Sequence, residues 1–227
     1  MTSTGGGTRH IAVASAPRSA TISAAVLAAG LGRRFGGNKL MASLDGRPVL
    51  AHVLACVAAA RDAGLLAGGV AVLPPHAPAM AQLVREAGLR IEVNPHPELG
   101  LASSLRAALK VLARVHGSPP VEAALIVLGD QPRLDIGVIA RLITARGETD
   151  RAVIRPRYAA RPDEPGHPLL VARSIWPLAE SLGGDRGLGE LLRTRSDLVH
   201  VVPVGGANPD IDTPADLAAL EDPSTCS

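Results

Sequence analysis

A glycine-rich turn directly after a short apolar run constrains this 227-residue chain more than any other feature of it. The apolar run covers residues 24–29, and glycines follow at positions 30, 32, 36 and 37. A short apolar run bounded by glycine is typical of a buried strand. Glycine lets backbone N–H groups approach a ligand closely, and α/β proteins bind phosphates at such turns. The segment therefore predicts a strand followed by an anion-binding loop.

Two familiar phosphate-binding signatures fit this loop only in part. The fingerprint G-x-G-x-x-G finds its first two glycines in Gly30 and Gly32, but Phe35 stands at the third position. A Walker A loop would use the spacing of Gly32 and Gly37, but Asn38 stands where the lysine belongs. The loop is therefore neither a standard dinucleotide site nor a standard P-loop.

Three cations within seven residues accompany the glycines: Arg33, Arg34 and Lys39. Positive charge beside a glycine turn suits a polyanion. The alternative is a loop that only turns the chain, and the cations favour the phosphate-binding interpretation.

Composition excludes several classes of partner. Only Phe35, Tyr158 and Trp176 are aromatic, which argues against a stacking surface for single-stranded nucleic acid. The formal charge of +2 indicates neither a nucleic-acid nor a membrane partner. The two cysteines, Cys56 and Cys226, do not suggest a disulfide framework or a zinc site. No apolar stretch approaches the roughly 20 residues that span a bilayer, so we expect a cytoplasmic protein.

The length suits one α/β domain. We interpret residues 1–20 as a disordered leader, 21–222 as a single domain and 223–227 as a disordered tail. Strand and helix patterns alternate through residue 146, which predicts an α/β fold: a three-layer, Rossmann-like, mostly parallel sheet with helices on both faces. The second half looks more mixed, with a hairpin near the sheet edge. The predicted strands are 24–27, 69–73, 90–93, 124–128, 152–155, 167–172 and 200–204. The predicted helices are 48–63, 77–87, 103–115, 135–146, 174–182, 188–194 and 214–220.

Acidic residues follow one predicted strand and precede the last predicted helix. Gly129 and Asp130 lie just past an apolar strand, at the carboxyl edge of the sheet, where open α/β proteins bind ligands. Asp210 and Asp212 lie ahead of residues 213–216, which have the pattern of a helix cap. Mg²⁺ takes one or two carboxylates together with phosphate oxygens, so Asp130 and Asp212 are a candidate metal pair. The alternatives are an ordinary turn at Asp130 and a solvated acidic turn at Asp212.

Three further polar segments are candidate ligand contacts. Ser103 and Ser104 lie at a predicted helix N-terminus, where free N–H groups favour an anion or a hydroxyl-rich ligand, although Ser103 is equally a candidate N-cap. His167 either orients a ligand or is structural. Asp185 and Arg186 form a polar loop ahead of a helix, from which they could reach an acidic substrate.

Together these motifs resemble a known family. The segment LAAGLGRRFGGNK is similar to the L-A-A-G-x-G-x-R-x-G-x-x-K signature of nucleotidyltransferases with the MobA-like NTP-transferase fold, also called the nucleotide-diphospho-sugar transferase fold. Phe35 differs from the commoner residue of the family at its position, which is methionine, and the change is conservative. The matching positions are Leu27, Ala28, Ala29, Gly30, Gly32, Arg34, Gly36 and Lys39.

Within this family the chain is most similar to the molybdenum cofactor cytidylyltransferases. The likeness extends to NKL, to the N-x₅-G-x₂-S-S-L segment at 94–105, to GDQP at 129–132, to GHP followed by GDRG at 166–187, and to DIDTPADL. It covers about residues 23–221. The guanylyltransferase relatives typically lack the double serine and the GHP–GDRG pair.

The resemblance implies nucleotidyl transfer from CTP to the terminal phosphate of molybdopterin, with pyrophosphate as the leaving group. It implies catalytic roles for Lys39, Arg34 and Asp130, and Mg²⁺ held by Asp130 and Asp212. The expected nucleotide-binding positions are Leu27, Ala28, Ala29, Gly30, Gly32, Arg34, Lys39, Leu73, Pro74 and Gly129. The expected acceptor-binding positions are Ser103, Ser104, His167, Asp185 and Arg186.

Other functions stay open. GTP or ATP could replace CTP, and another phosphorylated acceptor could replace the pterin. A binding protein that carries a nucleotide or cofactor without turnover is an alternative of a different class, but a carrier has no need of metal-positioning acids. A molybdoenzyme or its chaperone is the partner that the resemblance implies.

Overall fold

The computed structural model describes residues 21–114, 120–184 and 188–221. The predicted leader and tail lie outside the described residues, and so do Asp185 and Arg186. No helix in the described part of the chain has the length and apolar character needed to cross a membrane.

Strands in the described residues form one large sheet and one small hairpin. They are β1 (Ile22–Leu27), β2 (Ser43–Leu44), β3 (Arg47–Pro48), β4 (Gly68–Leu73), β5 (Arg90–Val93), β6 (Ala123–Leu128), β7 (Val153–Tyr158), β8 (Leu169–Ala172) and β9 (Val199–Val204).

Helices connect most of the strands. The α-helices are α1 (Val49–Asp62), α2 (Pro78–Glu86), α3 (Leu101–Arg114), α4 (Ile136–Arg146), α5 (Leu188–Thr194) and α6 (Pro214–Glu221). The 3₁₀ segments are Lys39–Met41, Pro97–Leu99, Arg173–Ser181 and Ser196–Leu198. The segment predicted as a helix over 174–182 is 3₁₀, and Pro177 inside it cannot donate a helical hydrogen bond.

The seven-stranded sheet has the order β5-β4-β1-β6-β8-β7-β9. Neighbouring strands are parallel except at β8, which runs antiparallel to both β6 and β7. The mostly parallel α/β sheet is therefore confirmed. The hairpin exists as β7–β8 and lies near one edge of the sheet as predicted, with β9 beyond it, while β8 also pairs with β6 on its inner side. Residues 169–171 are all buried, as an interior strand covered on both faces requires.

Helices cover both faces of the sheet. Side chains of β1 alternate between the layers: Ala24 and Val26 pack with α1, α2 and α4, whereas Ala25 and Leu27 pack with α3, α5 and the 173–181 segment. The small alanines of β1 allow helices to approach closely, and the core is mainly aliphatic, with Tyr158 and Trp176 as buried aromatic members.

The order in which strands are added to the sheet reverses at β1. After β1 the chain passes to β4 and β5 on one side, and then returns to β6 on the other side. A crevice forms where the strand order reverses, outside the carboxyl ends of the strands. The loops that follow β1 and β6 border this crevice, so the topology places residues 28–39 and 129–132 together.

The hairpin β2–β3 was not predicted, although its signal is present. Asp45 and Gly46 connect the two strands with φ values of 51° and 76°. An Asp-Gly pair is a favoured two-residue hairpin turn because both central residues need positive φ. The strands have only two residues each, too few for a visible alternating pattern.

Candidate active site

Lys39 lies between two carboxylates that come from distant parts of the chain. Its Nζ is 2.7 Å from Asp130 Oδ2 and 2.9 Å from Asp212 Oδ1. Arg34 donates to the other oxygen of Asp212 at 2.9 Å. The structure thus brings together all four side chains that were expected to act on phosphates and metal.

The two cations of this cluster, Lys39 and Arg34, differ in how far they are exposed to solvent. The Lys39 side chain is 10% exposed, whereas that of Arg34 is 79% exposed. Burial alone would lower the pKa of Lys39, but the Asp130 and Asp212 carboxylates outweigh it and raise the pKa. Lys39 therefore stays protonated. The exposed pair between Arg34 and Asp212 is screened by water and contributes little to stability.

The glycine loop turns sharply next to this cluster. Gly32 has a φ of 58°, and a Cβ at this position would lie 2.5 Å from the carbonyl oxygen of Gly37. Only glycine combines the left-handed conformation with so close a backbone approach. The Lys39–Met41 3₁₀ turn follows directly and carries Lys39 inward.

A cleft of about 500 Å³ runs along the loop. Its lining contains residues 27–34 and Lys39 from the first loop, with the acids Asp130, Asp210 and Asp212. The opposite side is formed by Pro97, Glu98, Gly100, Leu101 and Ser104. A cleft of this size, bordered by a glycine loop and cations, can hold a small polyanion.

The last acidic segment is held by a helix cap. Asp216 Oδ2 accepts hydrogen bonds from the backbone N–H groups of Asp212 and Thr213 at 3.0 and 2.7 Å. The Thr213 hydroxyl accepts in return from the N–H of Asp216 at 3.3 Å. The predicted cap of residues 213–216 is therefore confirmed, and it fixes the backbone that presents Asp212.

Ser103 and Ser104 both accept hydrogen bonds from a buried asparagine. The amide of Asn94, which is 3% exposed, donates to Ser103 Oγ at 2.8 Å and to Ser104 Oγ at 3.0 Å. Helix α3 begins at Leu101, so the predicted N-cap role of Ser103 is wrong. Its hydroxyl instead donates back to the Gly100 carbonyl at 2.7 Å, since a hydroxyl in the first turn can reach the preceding carbonyl. Ser104 lines the cleft, and Ser103 does not.

A second cavity adjoins the cleft. It measures about 660 Å³ and shares Leu27, Leu101 and Leu128 with the cleft. His167 and Arg193 are the described polar side chains in a lining that is otherwise mainly leucine, isoleucine and glycine. Burial, aided by nearby Arg155, lowers the pKa of His167 to about 4, so its imidazole is neutral near pH 7.

The remaining expected site residues lie elsewhere. Leu73 and Pro74 line a separate hollow with α2 and β5, and not the cleft. Gly129 is not part of the cleft lining, but a Cβ there would come within 3.1 Å of Ala28 Cβ, and Ala28 does line the cleft. Asp185 and Arg186 lie outside the described residues.

Sequence reasoning missed Gln131 and Asn208. Both are buried, with 6% and 8% exposure, and they hydrogen bond to each other across 77 residues of sequence. Gln131 also donates to Asp210. Gln131 lies within the GDQP motif and Asn208 opens the NPDIDT segment, but no local pattern indicates that the two meet.

Comparison with known proteins agrees with this geometry. Residues 24–200 match the MobA-like NTP transferase domain, so Asp210 and Asp212 lie beyond the matched range. The chain is 30% identical over 219 residues to 2-C-methyl-D-erythritol 4-phosphate cytidylyltransferase of Gloeobacter violaceus, covering 86% of this chain and 92% of that protein. It is also 30% identical over 174 residues to the bifunctional protein GlmU of Acidiphilium cryptum, covering 73% of this chain but only 36% of that protein's length.

Solved structures give the same picture. Rv0371c from Mycobacterium tuberculosis H37Rv superimposes with a TM-score of 0.72 at 33% identity, covering 88% of this chain and 96% of that one. Its complex with manganese superimposes with a TM-score of 0.70 at 30% identity, covering 88% and 97%. By its domain match, fold and relatives, the chain belongs to the MobA-like NTP transferase family and is a nucleotidyltransferase.

Proposed function

We propose that the protein transfers the cytidylyl group of CTP to the terminal phosphate of molybdopterin, or of the molybdenum cofactor built on it, and releases pyrophosphate. The observation that carries the proposal is the meeting of Lys39, Asp130 and Asp212 at the rim of the glycine loop. Nucleotidyl transfer joins two polyanions, and it depends mainly on positioning and on charge stabilisation.

The reaction itself forms one bond and breaks one. An oxygen of the acceptor phosphate bonds to the α-phosphorus of CTP, and the bond from that phosphorus to the β-bridging oxygen breaks. Pyrophosphate leaves with the electron pair. The acceptor phosphate is already anionic, so a strong general base is not needed. Lys39 and Arg34 line the cleft and offset charge on the triphosphate, while backbone N–H groups of the glycine loop bind its oxygens.

Asp130 and Asp212 would hold Mg²⁺. Asp130 Oδ1 is buried and has no hydrogen-bond partner among the described residues, which leaves one carboxylate oxygen available to a cation. The described residues contain no group of three or more acidic, histidine or cysteine side chains suited to a metal. Two carboxylates nevertheless meet the requirement of Mg²⁺, which completes its shell with phosphate oxygens and water. When bound, Mg²⁺ would neutralise and orient the α-phosphate.

The choice of CTP and of the pterin rests on different support. A relative that is 30% identical over nearly its full length is named a cytidylyltransferase, which favours CTP. The pterin rests on the motifs GDQP, GHP and GDRG, and on the second cavity next to the cleft, which has room for an acceptor. The product would pass to a molybdoenzyme or its chaperone.

A second candidate keeps the chemistry and changes the acceptor. The same relative is named for 2-C-methyl-D-erythritol 4-phosphate, a phosphorylated polyol. The aliphatic lining of the second cavity does not by itself select a pterin over another phosphorylated compound.

Pyrophosphate release tests both candidates. Purified protein is mixed with Mg²⁺ and either molybdopterin cofactor or 2-C-methyl-D-erythritol 4-phosphate, with CTP, GTP or ATP in turn. We expect release with CTP and the pterin, and none from an Asp130→Ala variant that retains the wild-type melting temperature. Release only with the polyol phosphate, or only with GTP or ATP, would contradict the proposal and identify the substrate.

A further inference from the structure

The Gln131 side chain bridges two points of the segment 208–212. Its Oε1 accepts from Asn208 Nδ2 at 3.2 Å, and its Nε2 donates to Asp210 Oδ1. Gln131 follows Asp130 directly in the chain, whereas the bridged segment lies 77 to 79 residues further on. The amide therefore connects the two loops that carry the acidic pair.

Burial fixes the orientation of the Gln131 amide in this bridge. Gln131 and Asn208 are each more than nine-tenths buried. A buried amide that loses its partner bears the full cost of desolvation, so the side chain is held in the one orientation that satisfies both ends. An amide can donate at one end and accept at the other, and the two contacts of Gln131 require this polarity.

Segment 208–212 is fastened to the loop after β6 immediately ahead of Asp212. Ile211, fully buried, donates its backbone N–H to the Asp130 carbonyl at 3.0 Å. With the two contacts of Gln131, three hydrogen bonds join segment 208–212 to the loop after β6 before the chain reaches Asp212. The helix cap then holds Asp212 from the other side. Gln131 therefore supplies two of the three hydrogen bonds that hold this segment beside Asp130.

We propose that Gln131 is a positioning residue that holds Asp212 in register with Asp130 through Asn208 and Asp210, and so sets the affinity of the acidic pair for a divalent cation. This inference rests on the proposed metal role of that pair. It assigns to Asp210 the role of an anchor for Gln131, and not that of a ligand.

Two variants separate this role from others. Gln131→Met keeps the approximate side-chain length and charge but removes both hydrogen bonds. The exchanged pair, Gln131→Glu with Asp210→Asn, keeps the net charge. Its glutamate can accept a hydrogen bond from Asn208 as Gln131 does, and it can accept a second one from the new asparagine amide at position 210. Gln82→Met is the matched control, because Gln82 also donates to a carboxylate, that of Glu86 at 2.8 Å, on the exposed face of α2.

The first measurement is Mn²⁺ binding to the protein alone, by electron paramagnetic resonance of the free ion, with the melting temperature of each variant. Loss of a group that orients a metal ligand typically weakens metal binding about 10- to 100-fold. We expect a loss of that size for Gln131→Met, near-wild-type binding for the exchanged pair, and no change for Gln82→Met.

Two results would overturn the proposal. Wild-type Mn²⁺ affinity in Gln131→Met would show that the bridge does not set the site. Weak binding by a folded exchanged pair would show that Asp210 itself is needed as a carboxylate. If Gln131→Met does not fold, the exchanged pair still tests the proposal, because the proposal requires that this variant folds and binds Mn²⁺ with near-wild-type affinity. Absence of pyrophosphate release by the wild type would contradict the proposed function but leave this binding test intact.

Discussion

At the scale of single residues, the buried Lys39 and the half-buried His167 are two bases whose pKa values shift in opposite directions. Two carboxylates keep Lys39 charged in spite of its burial, and its pKa rises. His167 has no carboxylate among its described neighbours that offsets burial, and Arg155 adds repulsion, so its pKa falls to about 4. The difference lies in the charge that each base faces.

His167 gives a prediction on acid stability. The folded protein holds this histidine neutral down to about pH 4, whereas the unfolded chain protonates it near pH 6.5. Between these values the unfolded state binds more protons, so the free energy of unfolding falls as the pH falls. The effect begins about one pH unit above 6.5, grows as the pH falls and reaches about 3 kcal/mol at pH 4.

Urea unfolding at pH 4 to 8 measures this effect. The wild type should lose more stability between pH 6.5 and 4 than the variant His167→Gln, which has no group that titrates there. Because Tyr158 donates to the backbone carbonyl of His167, that hydrogen bond survives in the variant. Parallel pH profiles for the two proteins would rule out a lowered pKa for His167 in the folded state.

At the scale of the element, the glycine loop depends on Gly32, a position that a residue with a side chain would fill only under strain. Gly32→Ala would place a side chain in the left-handed region and push its Cβ against the Gly37 carbonyl. Such strain is worth about 1–3 kcal/mol. The loop is exposed, so we expect it to change shape while the core stays folded. CTP binding, measured by calorimetry, should weaken roughly tenfold or more with little change in melting temperature.

Gly37→Ala is the control for this prediction. Gly37 lies in the same loop, but its φ is not in the left-handed region, and in the described part of the chain a Cβ there would meet no atom within 4 Å apart from those of its chain neighbours. The variant should bind CTP more tightly than Gly32→Ala. Equal losses in both would mean that the loop tolerates no side chain at all, and that the close approach at Gly32 is not the reason.

At the scale of the whole molecule, the cleft joins loops that follow β1 and β6 to the segment before α6. A ligand that bridges these loops binds the folded state only. At 100 times its dissociation constant it stabilises the fold by about 2.7 kcal/mol. For a chain of this size, that raises the melting temperature by roughly 5–10 °C.

Thermal unfolding with CTP and Mg²⁺ checks this prediction. We expect the increase in wild type, and a much smaller one when EDTA removes the metal or when Asp130 is changed to Ala. An increase that is unaffected by EDTA would place the nucleotide in the cleft without help from a cation, against the proposed metal role of Asp130 and Asp212.

Local patterns determined a large part of this protein. The strand before the glycine turn, the alternation of strands and helices through residue 146, and the cap at 213–216 all depend on side chains within a few residues of each other. The position of Asp130 just past an apolar strand also follows from such a pattern, because the carboxyl ends of parallel strands face one edge of the sheet.

Tertiary structure alone decided how the distant segments meet. Lys39 and Asp212 are 173 residues apart in the chain, and no local pattern sets their separation. The insertion of β8 between β6 and β7 and the bridge from Gln131 to Asn208 and Asp210 likewise have no local signature. The physical reason is that side-chain periodicity reports which face of an element is buried, whereas the partner across that face is selected by the packing of the whole sheet and the need to satisfy each buried polar group.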